Sequence, residues 1–384
     1  MSHAALTQLN QKLAALRHDN LERRRVTLES PQGVRIRLDG RELLSFCSND
    51  YLGLAASPQL IAAAHAALDA CGVGSGASHL ISGHQTAHYA FESAFAQFVR
   101  KPAALLFSSG YMANLGVLGA LLGRHDEVFA DRLNHASLND AARLSGVTFT
   151  RYAHADLAQL EAQLARSQAQ TKMIVSDLVF SMDGDIAPVD ALLDLAERYD
   201  AWLYLDDAHG FGVLNEGRGG MTANAARSER VIYLATLGKA AGVAGAAVAA
   251  ETTVIDWLIQ KARPYIYTTA MPPMLATCLS ASLKEIADGE TRRARLRRHV
   301  AQLRAGLADL RWKLLPSDMP IQPLIVGNNA DAVALSQALL ARGILLPAIR
   351  TPTVPQGSAR LRITLSAAHS ADDVDQLISA LHAI

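Results

Sequence analysis

The sequence predicts an α/β chain with three parts. These are an N-terminal helical segment, a mostly parallel seven-stranded sheet flanked by helices, and a smaller C-terminal α+β domain. Three observations predict it. Between about residues 58 and 285, seven apolar runs alternate with helix-like stretches. Most of these runs are continuously apolar, as strands buried on both faces are. Several end in a polar or charged cluster, and an open α/β sheet binds its ligands outside the carboxyl ends of its strands.

Residues 1–25 read as an amphipathic helix with Leu6, Leu9, Leu13 and Leu16 on one stripe. Two short strands follow at about 33–38 and 42–46, separated by the Asp39–Gly40 turn signal. The seven candidate sheet strands are Ala103–Phe107, Asp126–Ala130, Val147–Tyr152, Met173–Leu178, Ala201–Asp206, Val231–Thr236 and Gly245–Ala250. The last hundred residues change character. An Arg-rich helix over 288–310 precedes strands near 321–326, 344–347 and 360–365, with helices over 330–342 and from 371. The domain division expected is therefore 1–50, 51–285 and 286–384.

With 384 residues, half of them hydrophobic and 19% charged, the chain has ample apolar surface for a large core. Lys+Arg and Asp+Glu are both 36, a balance that argues against binding nucleic acid or an anionic membrane through bulk charge. No apolar run approaches the roughly 18 residues of a membrane span, and the N-terminus lacks the apolar core of a signal peptide. Cys47, Cys71 and Cys278 are few, odd in number and far apart, so reduced thiols and a cytoplasmic location are expected.

Five strand ends carry chemistry. In Leu203-Tyr204-Leu205-Asp206-Asp207-Ala208-His209-Gly210, a carboxylate at a rigid strand end could hold a positive ring nitrogen; capping of the next turn is the bland alternative. In Thr236-Leu237-Gly238-Lys239-Ala240-Ala241-Gly242, a lysine lies among small apolar residues and is the only charged residue between Arg230 and Glu251. Desolvation there would favour a neutral amine able to form a Schiff base. Phe107-Ser108-Ser109-Gly110-Tyr111 turns from strand into helix, where free amides and the helix dipole suit a phosphate, or where Ser and Gly merely cap. His135, in Asp131-Arg132-Leu133-Asn134-His135-Ala136-Ser137, could stack on a flat ring, and Ser181 follows another strand. Together they offer what a planar, phosphorylated, cationic ring needs.

These segments, with Ser48–Leu54 (SNDYLGL), Gly74–Ser78 (GSGAS) and FSMDGD at 180–185, resemble the α-oxoamine synthases over about residue 20 to the C-terminus. Those are fold-type I enzymes that use pyridoxal 5′-phosphate. Within the family, Ile321–Gly327 (IQPLIVG), Thr351-Pro352-Thr353-Val354-Pro355 and Ala359–Thr364 (ARLRIT) look most like the branch that joins L-alanine to a pimeloyl thioester in biotin biosynthesis. The resemblance implies that Lys239 carries the cofactor as a Schiff base, Asp206 pairs with its ring nitrogen and His209 with its ring hydroxyl. It implies that His135 stacks on the ring and meets substrate, that Gly110, Tyr111 and Thr236 hold the phosphate, and that Ser181 bonds the ring. Arg362 would clamp the amino-acid carboxylate, Arg350 and Thr353 would lie in a loop over the substrate, and Arg23 would reach the acyl chain. Thr268 and Thr269 resemble residues that reach a neighbouring subunit's phosphate, implying a homodimer with shared sites. The thiol carrier could be coenzyme A or acyl carrier protein.

Two positions depart from the family pattern. Ala241 stands where a bulkier residue is usual, and His209-Gly210-Phe211-Gly212 where HGTG is frequent. Other clusters invite blander readings. His84 and His88 lack the glutamate of a zinc-protease motif, so no metal is expected. Arg292, Arg293, Arg295, Arg297 and Arg298 read as a solvated helix face. Gly72, Gly74 and Gly76 read as a loop near the site rather than a dinucleotide fingerprint. Open alternatives are a sister synthase using glycine or serine, an aminotransferase of the same fold, and a cofactor-free binding homologue.

Overall fold

The computed structural model describes residues 3–19, 21–23 and 25–384; residues 1, 2, 20 and 24 of the expected N-terminal helix lie outside these. A helix covers Ala4–His18, and none of its residues is buried. The leucine stripe stands out from it, with Leu6 59% and Leu16 40% exposed. Strands β1 (Arg35–Leu38) and β2 (Arg41–Ser45) then form an antiparallel hairpin. Asp39 and Gly40 both take positive φ, 50° and 69°, the two-residue turn whose twist matches the strands it joins.

The chain divides into two units: residues 50–181 with 185–294, and residues 1–49 with 182–184 and 295–384. Residues 1–49 thus group with 295–384 in the smaller unit.

The larger unit holds β3 (Ala103–Phe107), β4 (Glu127–Asp131), β5 (Thr148–Tyr152), β6 (Lys172–Asp177), β7 (Ala201–Asp206), β8 (Val231–Thr236) and β9 (Ala246–Ala250). Each overlaps a strand read from its apolar run. They form one sheet in the order β3-β9-β8-β7-β6-β4-β5. Strands β5, β4, β6, β7 and β8 are parallel, while β9 runs antiparallel to both β8 and β3. The two reversals bring β3 back into the common direction, so Phe107, Asp131, Asp177, Asp206 and Thr236 all close their strands at one edge. All five residues of β9 are buried, as are Val231–Ala235 of β8. Helices on the faces remove Leu203, Leu205, Ile232 and Leu234 from water entirely. Burial of such a side chain stabilises by roughly 1.5–3 kcal/mol. No described helix is long and apolar enough to cross a membrane.

In the smaller unit, β10 (Lys313–Leu314), β11 (Ile321–Gly327), β12 (Ile344–Leu345), β13 (Ala348–Ile349) and β14 (Ala359–Thr364) complete the strands. One sheet has the order β10-β11-β14-β13, antiparallel throughout, and β12 adds in parallel to β2. That pairing explains why the N-terminal strands group with the C-terminal ones. The Thr364 amide donates to the Phe46 carbonyl at 2.7 Å, and the Phe46 ring stacks on His369 at 4.3 Å. The final helix, Ala371–His382, opens on a reciprocal cap between Ser370 and Asp373.

The Arg-rich helix (Glu290–Gly306) corrects one expectation. Arg295, Arg297 and Arg298 are exposed, but Arg293 is only 2% exposed and donates to the Ile286 carbonyl at 2.6 Å. Arg292 reaches the Leu52 carbonyl at 3.2 Å. Exposed Arg295 also donates to the Ala367 carbonyl at 3.3 Å, so three of the five guanidiniums tie backbone together.

Candidate active site

At the carboxyl edge of the large sheet lies a cavity of about 200 Å³. Eight residues singled out from the sequence line it: Gly110, Tyr111, His135, Ser181, Asp206, His209, Thr236 and Lys239. They come from the last residues of β7 and β8 and from the chain just beyond β3, β4, β6, β7 and β8, converging because those strands end at the same edge.

Each polar group is held by its neighbours. Asp206, 5% exposed, accepts from Asn114 Nδ2 at 2.9 Å through Oδ2 and from the Ala208 amide at 3.2 Å through Oδ1. Asn114 donates also to Ser137 Oγ, and its own oxygen accepts from Tyr204 at 2.6 Å. His209 stands between two partners, its Nδ1 2.6 Å from the Tyr51 hydroxyl and its Nε2 2.9 Å from Lys239 Nζ. His135 Nδ1 lies 2.7 Å from Ser137 Oγ, and its amide donates to Asp177 Oδ2 at 2.9 Å. Desolvation pulls the His135 imidazole below its ordinary pKa, against the attraction of Asp206 and with a push from Lys239. Asp177 is the register partner of Asp206 on the adjacent parallel strand. Burial, then the like charge of Asp206, pushes its carboxyl well above the usual carboxylate range.

The residues suit a phosphorylated cationic ring that bears an aldehyde. The helix Gly110–Leu121 begins at the cavity, with Ser109 capping it by accepting from the Met112 amide at 3.2 Å. A Cβ built on Gly110 would stand 3.0 Å from Thr236 Oγ1, so glycine here keeps open the gap between helix start and strand end where an anion would sit. Buried Asp206 could supply the negative charge for a ring nitrogen, and Lys239 the amine for the carbonyl. Pyridoxal 5′-phosphate has these features.

Asn114, Ser137, Asp177 and Ala208 complete the lining and were not singled out from the sequence. Tyr51, fully buried behind His209, was also passed over. Tyr51, Ser137 and Ala208 lie inside the quoted motifs and Asn114 three residues beyond one, so proximity to a chosen residue is the signal there; Asp177 closes a strand read only from its apolar run. The two departures from the family pattern do not line the cavity. Phe211 packs among Phe95 and Phe98, at 5.4 and 6.3 Å between ring centroids, and buried Ala241 accepts from Ser282 Oγ through its carbonyl.

Six expected site residues lie outside the cavity lining. Thr268 is half-buried, and exposed Thr269 forms an isolated antiparallel bridge with Ser78. In the smaller unit Arg23 is exposed. Arg350 reaches the Glu22 carbonyl at 3.5 Å, and the Thr353 amide closes a turn on the Arg350 carbonyl at 3.0 Å. Arg362 is buried on β14 and donates to Asn49 Oδ1 and Thr364 Oγ1, each at 3.1 Å. His88, considered as a metal ligand, instead accepts from the Gln85 amide and contacts the Met271 carbonyl at 2.7 Å.

Comparison with known proteins agrees with this geometry. Residues 41–381 match the family model of aminotransferase class I and II. A curated 8-amino-7-oxononanoate synthase of Thiobacillus denitrificans is 68% identical over 383 residues, covering 100% of this chain and 99% of the relative. The namesake of Nitrosospira multiformis is 58% identical over 377 residues, 98% of this chain and 95% of its own. Among solved structures, Sphingomonas wittichii serine palmitoyltransferase superposes with a TM-score of 0.93 at 29% identity, covering 99% of this chain and 97% of the other. The 8-amino-7-oxononanoate synthase of Francisella tularensis does so with 0.76 at 32% identity, covering 88% and 96%. A lysine, a buried carboxylate and an anion cradle at one sheet edge, in a chain so similar to these relatives from end to end, place it in the 8-amino-7-oxononanoate synthase family, within the class I and II aminotransferase fold.

Proposed function

We propose that this chain condenses L-alanine with a pimeloyl thioester to give 8-amino-7-oxononanoate, CO2 and the free thiol, using the residues of the sheet-edge cavity. Its family makes it a pyridoxal-phosphate-dependent acyltransferase of biotin biosynthesis. The convergence of eight expected residues on one cavity supports the assignment of roles.

When bound, the cofactor supplies an electron sink for the charge left at the alanine Cα. The protein does the rest. Lys239 Nζ would hold the cofactor through its carbonyl, and as a free amine would take the proton from the alanine Cα. His209, 2.9 Å from that nitrogen and held from behind by Tyr51, orients the amine and the ring hydroxyl. Asp206, locked by Asn114 and the Ala208 amide, keeps a proton on the ring nitrogen by its negative charge. His135 covers the ring face and meets substrate, Ser181 bonds the ring, and Gly110, Tyr111 and Thr236 hold the phosphate. Arg362 takes the amino-acid carboxylate, a role suited to a planar donor already fixed by Asn49 and Thr364. Arg350, Thr353 and Arg23 serve the substrate. Thr268 and Thr269 serve a partner subunit's phosphate in a homodimer, and the enzyme works in the cytoplasm with coenzyme A or acyl carrier protein as thiol carrier.

The test is a visible spectrum of the protein with pyridoxal 5′-phosphate, titrated with L-alanine, glycine and L-serine before adding pimeloyl thioester. A Schiff-base band that responds to alanine, and thiol release on adding the thioester, is expected. A stronger response to glycine or serine would move the function to a sister synthase. The absence of a band would overturn the reading.

A further inference from the structure

His154 follows β5 and does not line the cavity, yet both its ring nitrogens are engaged by carboxylates. Nδ1 lies 3.1 Å from each oxygen of Asp131, and Nε2 2.8 Å from Asp185 Oδ2. The ring edge rests on Phe180, with centroids 4.4 Å apart and planes at 82°. An imidazole donates from both nitrogens only when it carries the positive charge.

The two carboxylates belong to two different cavity loops. Asp131 ends β4, is 2% exposed, and also accepts from the Leu133 amide at 2.8 Å and the Ala155 amide at 2.9 Å. It therefore shapes the turn that presents His135. Asp185 lies on the return of a narrow hairpin, where the Phe180 amide donates to the Asp185 carbonyl at 3.0 Å and Val179 bridges Ile186. The residue after Phe180 is Ser181, which lines the cavity. Asp131, His154, Asp185 and Phe180 thus connect the supports of two residues assigned to the cofactor ring.

We propose that His154 is a positioning residue: its imidazolium clasps Asp131 to Asp185 and so sets the spacing between His135 and Ser181. The inference rests on the reading of the cavity as a pyridoxal-phosphate site. The charges that face the ring are those two carboxylates, and their hydrogen bonds raise its pKa to about 10 against the cost of burial. Tyr152 on β5 stands near Asp131, its phenol pushed up by burial and then by that carboxylate, and Asp177 also feels Asp131. The sign follows from the raised value: with both carboxylates ionised, the clasp is intact at pH 6.5, persists at neutrality, and is lost as pH rises through about 10.

Two measurements test it. In the first, the imidazole protons of histidine-labelled protein are titrated by NMR, with His154→Gln giving the assignment. A His154 signal still protonated at pH 8 is expected, and titration near 6.5 would overturn the clasp. In the second, His154→Gln and Asp185→Asn holoenzymes are compared with wild type at a temperature where circular dichroism shows them folded. The visible dichroism of the cofactor should weaken, and kcat should fall about tenfold to a hundredfold with alanine KM within about threefold, as for misplaced catalytic groups. Unchanged cofactor dichroism and kcat, with only a lower Tm, would reduce His154 to a structural staple. Asp185→Asn keeps the shape and carries the test alone if His154→Gln does not fold. A wild type that binds no cofactor would sink the site reading instead, and the NMR titration would still decide the clasp.

Discussion

The two large sheets present charge in different ways. In the seven-stranded sheet the candidate functional groups stand at strand ends or just beyond, and each is steadied by another segment: Asp206 by Asn114 of the helix after β3 and by the Ala208 amide, His135 by Ser137 in the next helix and by Asp177 at the end of β6. In the four-stranded sheet the charges stand inside a strand. Arg360 and Arg362 alternate along β14 and share one face by the pleat. Arg360 is paired with Asp183 and Arg362 with Asn49 and Thr364. A strand-end group depends on neighbouring helices, strands and turns for its aim, whereas a mid-strand group inherits its aim from backbone pairing. The first arrangement suits groups that exchange protons and partners, and the second a fixed anchor.

Four substitutions would break or sharpen that contrast. Lys239→Ala removes the amine at the strand-end site; turnover should fall by roughly 10⁴–10⁶-fold, the scale for losing a covalent nucleophile. Substantial condensation in that variant, followed by thiol release, would end the assignment. Asp206→Asn keeps the shape and deletes the charge; exchange of the alanine Cα proton, read by deuterium incorporation, should slow on the order of a hundredfold or more. An unchanged exchange rate would show that Asp206 does not serve the ring nitrogen. Arg362→Lys leaves β14 intact and removes a planar fork. Alanine KM should rise about tenfold to a hundredfold with a smaller change in kcat, and an effect confined to kcat would contradict an anchor role. Gly110→Ala forces a Cβ to 3.0 Å from Thr236 Oγ1. Cofactor affinity, measured by equilibrium dialysis, should weaken by about 1 kcal/mol, roughly fivefold, while a neutral result would place the phosphate elsewhere.

Much of this was legible in the sequence because it depends on local pattern. Apolar runs located all seven strands of the large sheet, and a polar cluster after a strand marked each cavity loop. What was not legible depends on contacts between distant segments. Asn114 looks like an ordinary helix residue until the Asp206 carboxylate, 92 residues away, accepts from it. Arg293 lies in a run of arginines whose spacing gives no sign that its guanidinium turns inward to the Ile286 carbonyl. His154 is a lone loop histidine whose two carboxylates lie 23 and 31 residues away. The leucine stripe of the first helix misled in the other direction. Its periodicity is that of a packed face, yet every one of those leucines is exposed.

The reversal of β9 has a further consequence. A parallel strand after β8 would need a long crossover that carries the chain to the far end of the sheet. Instead the chain turns back at once, and Lys239 rides on a short connection closed on itself by Leu237–Gly245, Val243–Leu237 and Gly242–Lys239 backbone bonds of 2.8–3.0 Å. Gly242 and Gly245 have positive φ, and a Cβ on either would come within 3 Å of the backbone at residues 54–55 or 107. Surface loops usually absorb insertions and deletions at little cost. This one has no slack in length or composition, so Lys239 occupies a stretch of chain that can vary no more freely than the strands on either side of it.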